Sequence, residues 1–154
     1  MKAARQISIA ILLLMALVAI FISCRVITDP TGSSMGFPSY LLSGTIFNNY
    51  ATAGWIMLFT IGLFSLLVIV FIIRKSRIYS ILIMVQGVIV CVAIFLQILL
   101  IEESFLIQYL FLAIGVILIA LGALQNQRKI ATENERRANP QPLKSHHHKH
   151  RKNK

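Results

Sequence analysis

Hydrophobic residues in this chain gather into four long runs, residues 7–24, 51–73, 78–101 and 105–124. None contains an Asp, Glu, Lys, Arg or His. The runs are continuous rather than alternating, which favours helices over strands. About 18 apolar residues cross the roughly 30 Å hydrocarbon layer as a helix. Backbone groups find no water there, so a crossing segment must be helical or part of a closed barrel. The pattern predicts an all-α fold: a four-helix transmembrane bundle of up-down topology. Residues 1–124 form the transmembrane domain, with an outer loop at 25–50. Residues 125–154 form a basic cytoplasmic tail, partly disordered.

Charge sets the direction of threading. The chain has 15 Lys and Arg against 5 Asp and Glu, and only 13% of residues are charged. Lys2 and Arg5 precede the first run, and Arg74, Lys75 and Arg77 separate the second from the third. Nine more basic residues lie in the tail, and Arg25 is the single one in the other two connections. Basic loops stay in the cytoplasm, so both termini are expected there. The first run also looks like a signal peptide. Phe21-Ile22-Ser23-Cys24 resembles a poor lipobox, and an uncleaved spanning helix is the preferred reading. Cys24 sits at a membrane boundary and Cys91 at mid-depth, so no disulfide is expected.

The outer loop opens with a turn signal, Asp29-Pro30-Thr31-Gly32. It continues with Met35, Phe37, Tyr40, Leu41, Leu42, Ile46 and Phe47, too apolar for a free loop. A short helix over 38–42, lying on the interface and capping the bundle, accounts for them. Tyr50, Trp55, Phe105 and Tyr109 complete an outer aromatic belt. Several of these positions carry a resemblance. Asp29-Pro30-Thr31-Gly32, Gly36-Phe37-Pro38, Leu42-Ser43, Phe47, Tyr50 and Gly54, with Gln86-Gly87, Gln97 and Gln108, resemble a family of small four-helix bacterial membrane proteins. The layout is similar to the DoxX-like proteins. Ala51-Thr52-Ala53 stands where that pattern has a proline. The resemblance spans about residues 1–125. It implies fold and bacterial membrane location and transfers no catalytic residue.

Lipid tails are as apolar as Leu, so small residues and interhelical hydrogen bonds must pair the helices. Counting from each short turn matches depths, because helical rise is constant. Gln86 falls level with Ser65, and Gln97 level with Gln108. Gln86, Val90, Ala93 and Gln97 share one face of the third helix. That face is expected to look inward, with Gln86 bonding Ser65 or nearby backbone and Gln97 bonding Gln108. Gly54, Gly62, Gly115 and Gly122 are the expected close-approach positions. The same glutamines also suit the lining of a polar pathway, but helix glue is the simpler account.

Missing residues exclude more than the present ones assign. Proton-coupled pumps need an ionisable intramembrane group, haem proteins of this size need His ligands, and a membrane protease needs a nucleophile with its base. None lies in the runs, so no enzyme activity, cofactor or metal site is expected. Glu102 and Glu103 fit a helix N-terminal dipole better than a cation site. In the tail, helix is expected to persist to about Arg137, where Pro140 and Pro142 follow. Lys144, Lys149, Arg151, Lys152 and Lys154 lie among four histidines and suit anionic lipid at about 1 kcal/mol each; nucleic acid is the weaker partner. The reading is a non-enzymatic accessory or scaffold subunit, its membrane protein partner unknown. The alternative is a carrier or channel for a small neutral or lipidic solute, and a third, by layout alone, is an electron-transfer subunit.

Overall fold

A computed structural model describes residues 2–33, 49–100 and 106–139. It contains four long helices: α1 (Lys2–Thr28), α2 (Tyr50–Ile73), α3 (Tyr79–Leu100) and α4 (Leu106–Ala138). Each is long and apolar enough to cross a membrane, and no strand occurs among the described residues. The chain is a multi-pass membrane protein built as an all-α, up-down bundle.

Contacts between helices show the antiparallel order. Gly54 of α2 approaches Val26 and Ile27 of α1, and Gly62 approaches Ile20. On the other side Ser80 of α3 meets Asn126 of α4, while Cys91 meets Leu112. Ser8 of α1 bonds Gln125 of α4. A single apolar core joins all four helices. Leu12, Met15 and Ala19 enter it from α1, Val68 and Ile72 from α2, Ile83 and Val90 from α3, and Leu118 from α4.

The outside is as apolar as the inside. Phe21 is 63% exposed and Leu99 64%. Exposed apolar area on this scale would drive a protein in water to associate, whereas lipid tails accept it at no cost. Size and polarity distinguish the two faces instead. The buried stripe of α1 runs Ser8, Leu12, Met15, Ala19, Ser23 and Val26, at spacings of three or four. Small residues on that stripe let backbones draw together.

The helix ends have identifiable causes. Asn49 caps α2, its side chain accepting the Thr52 amide at 3.3 Å. Between α2 and α3 the chain reverses within a few residues. Lys75 adopts φ 52°, its amide bonds Ile72 O at 3.2 Å, and the Ser76 amide bonds Phe71 O at 3.1 Å. This is a Schellman motif with lysine at the left-handed position that usually takes glycine. The Asp29–Gly32 turn forms as the sequence suggests. The Gly32 amide bonds Asp29 O, and the Asp29 carboxylate accepts the Thr31 amide and hydroxyl. Pro30 O accepts the Tyr50 amide at 3.1 Å, joining the two ends of the α1–α2 connection.

Two features depart from expectation. The first helix runs beyond residues 7–24 at both ends, whereas α4 passes unbroken through residue 124 to Ala138 as expected of the tail. The backbone does not register the polarity change that ends the fourth apolar run. The second departure is a π-helical segment, Leu58–Leu63, inside α2. On a regular α-helix, eight residues would carry Gly62 about 80° round from Gly54. The slower rotation of a π turn takes up that offset and brings both glycines to face α1. The expected interfacial helix over 38–42 and the Glu102–Glu103 turn lie outside the described residues.

Candidate functional site

Among the described residues, the interior polar groups are the candidate chemistry within the apolar spans. Buried polar side chains among the described residues are Ser8, Ser23, Ser65, Ser80, Gln86, Gln108 and Gln125. Ser23 and Gln108 lie towards the end of the bundle away from the α2–α3 turn, and the other five form two tiers that differ in depth and chemistry.

The first tier lies at the end of the bundle that carries the α2–α3 turn, and it is extensively bonded. Gln125 Nε2 donates to Ser8 Oγ at 3.0 Å, and Ser8 Oγ donates to Ala4 O at 2.9 Å. Ser80 Oγ donates to Asn126 Oδ1 at 3.3 Å. Lys129 Nζ donates to Arg77 O at 2.9 Å and stands 3.8 Å from the centre of the Tyr79 ring. The Lys129 contact combines a charge-assisted hydrogen bond with a cation–π interaction. These bonds tie α4 to α1 and α3 just where α4 turns polar. They explain why the helix continues past the apolar run.

The second tier lies deeper. Gln86 and Ser65 each stand ten to eleven residues from the centre of the α2–α3 turn, or about 16 Å along the helices. Both are 0% exposed. The expected bond between them is not made: Gln86 Nε2, Gln86 Oε1 and Ser65 Oγ have no hydrogen-bond partner. Each such group costs about 1–3 kcal/mol when buried away from water. Ser23 Oγ and Gln125 Oε1 share that condition.

Gln97 corrects a second expectation. Gln86, Val90 and Ala93 turn inward, but Gln97 is exposed while Gln108 is buried. The two do not form a buried pair. Gln97 is three residues from the end of α3, where a long polar side chain can reach the wet interface. The inward face therefore ends before the outer rim of the bundle.

The expected glycine positions all sit at helix contacts, though of two kinds. A Cβ on Gly122 would lie 2.8 Å from Ser80 O, and one on Gly115 2.7 Å from Cys91 Sγ. On Gly54 or Gly62 the nearest atoms would be isoleucine side-chain carbons of α1, at 3.1 and 3.0 Å, with backbone no closer than 3.4 Å. Gly87, absent from the expected packing set, is the tightest against backbone: its Cβ would stand 2.7 Å from Gly115 O. Its spacing from Ser80 and Cys91, seven and four residues, was the available sign that it shares their face. Ser80 and Asn126 were also within reach of depth counting, since they lie nearly level across the outer turn. Ser8 and Gln125 were harder to find, because no short turn joins α1 to α4.

Cys24 is exposed, Cys91 is half-buried, and both are free thiols. No group of three or more His, Cys, Asp or Glu that would hold a metal occurs among the described residues. The tail cations Lys144, Lys149, Arg151, Lys152 and Lys154 lie outside the described residues. No protein-family model, curated protein or solved structure matches this chain.

Proposed function

We propose that this protein is a non-enzymatic accessory or scaffold subunit of a bacterial cytoplasmic membrane. The observation that carries the reading is the distribution of interior polar groups. A permeation path needs polar atoms strung through the depth of the membrane. Here Gln86 is enclosed and Gln97, the next glutamine along α3, faces outward. Bonded side chains fill the turn end of the interior instead. Such an interior holds helices together. The absence of Asp, Glu, Lys, Arg and His from all four apolar runs removes the usual coupling group of a pump.

Both termini face the cytoplasm in this reading, supported by the placement of the basic residues. The polar extension of α4, exposed from Ala131 to Asn139, then projects from the inner face, and the tail cations after it meet anionic lipid. A partner would find the α4 extension at the membrane surface. The small bacterial four-helix, DoxX-like resemblance supports the same host membrane.

The test is extraction of native membranes into polymer-bounded lipid discs without detergent. A second membrane protein in fixed ratio, retained after exchange into fresh lipid, is the expected result. A lone chain would overturn the reading. So would solute flux in reconstituted vesicles that Gln86→Leu abolishes. A reporter fused after Lys154 tests orientation separately and is expected to be active in the cytoplasm.

A further inference from the structure

We infer that Gln86 and Ser65 form the polar walls of an enclosed mid-depth site that takes one small neutral molecule bearing both a hydrogen-bond donor and an acceptor. The inference goes beyond the scaffold reading and does not depend on it.

The argument begins with orientation. Gly87 faces α4, since its Cβ would meet Gly115 and Ile119. Gln86 is one residue earlier, about 100° round the helix, on the stripe of Ile83 and Val90 that enters the common core. Ser65 lies on the buried stripe of α2 with Val68 and Ile72, which enters the same core. The two residues are therefore level and both turned to the bundle axis. Neither is exposed at all, and all three of their polar atoms have no protein partner.

The chemistry of the three atoms selects the occupant. The glutamine amide offers two N–H donors and a carbonyl acceptor, and the serine hydroxyl offers one donor and two lone pairs. A pure acceptor would leave Gln86 Oε1 unanswered, and a pure donor would leave Gln86 Nε2 unanswered. An ion would lack a counter-charge, because no Asp, Glu, Lys, Arg or His lies in any of the four apolar runs. Water is the smallest molecule that fits, and a primary amide or a short alcohol is the next. Buried water in proteins characteristically makes about three such bonds. The neighbouring π-helical segment ends at Leu63, two residues before Ser65. Segments of that kind recur at functional sites.

The experiment uses the full chain in lipid nanodiscs, labelled with ¹⁵N on glutamine side-chain amides. The Gln86 signal is assigned by its loss in Gln86→Asn, or by eliminating the other glutamines if that variant does not fold. A cross-relaxation peak between the Gln86 amide and water is expected, weakened at least twofold in Ser65→Ala. Acetamide is then added. Displacement of the water peak with a shift of the Gln86 amide identifies a site that admits amide solutes. A water peak indifferent to acetamide identifies an internal water. Absence of both responses overturns the inference, as does a water peak that Ser65→Ala leaves unchanged.

Discussion

The two helix hairpins of this bundle are built to different tolerances. Along α3–α4, Gly87, Gly115 and Gly122 let backbone meet backbone, with carbonyl oxygens where a Cβ would have to go. Along α1–α2, the atoms nearest Gly54 and Gly62 belong to isoleucine and valine side chains, and backbone comes no closer than 3.4 Å. Rotamers can shift by a few tenths of an ångström, but a packed backbone cannot without moving its helix. Hairpins that look alike in composition therefore differ in what they can absorb. The rigid one lacks slack at the seam, and the softer one contains the π-helical segment that aligns its glycines.

The most severe test of this difference is Gly87→Ala. It should destabilise by about 1–3 kcal/mol, as overpacking does, measured as a lowered thermal midpoint in detergent. A neutral outcome would mean the α3–α4 seam is no tighter than the other. Lys75→Gly should act in the opposite direction. It relieves a left-handed lysine worth about 1–2 kcal/mol, less the added freedom of the unfolded chain, so a gain of up to about 1 kcal/mol is expected. A loss would show that the lysine side chain contributes more than its backbone costs.

Smaller effects sharpen the contrast. Gln125→Leu removes the bond to Ser8, the tie between α1 and α4. Interhelical bonds in membranes average about 0.6 kcal/mol, and steric-trapping measurements of unfolding should show a loss of that order. Gly62→Ala should change stability by less than about 1 kcal/mol, because the clash with Ile20 is relieved by a rotamer and alanine is the better helix former. Gln97→Leu should fall within about 0.5 kcal/mol, as exposed substitutions do. A loss near 2 kcal/mol would show that Gln97 faces a partner.

Much of the architecture could be read before any coordinates. Uncharged runs long enough to span, cut by Arg74-Lys75-Ser76-Arg77 and Glu102-Glu103-Ser104, define four helices and their alternation. Polar residues inside those runs mark the bundle interior, because lipid repels them. Gln86, Ser65 and Gln108 are all buried as that rule requires. Gln97 breaks it because the rule weakens near the interface, where an exposed amide meets water and headgroups. Gly87 and the Ser8–Gln125 tie escaped because helix pairing depends on rotation about each axis, which apolar periodicity does not reveal when every face is apolar.

By itself, then, the sequence determined that this chain lies in a membrane, that it has four helices long enough to cross it and which depths hold polar groups. Those properties follow from the cost of unpaired backbone and charge in hydrocarbon, a cost each residue carries wherever its neighbours fall. Only the tertiary structure decided that Gln86 and Ser65 stay unbonded while Ser8 and Gln125 join. It alone revealed a π turn aligning Gly54 with Gly62 and a backbone-tight seam between α3 and α4. Those outcomes turn on ångström-scale approach between helices, set by all the packing contacts at once.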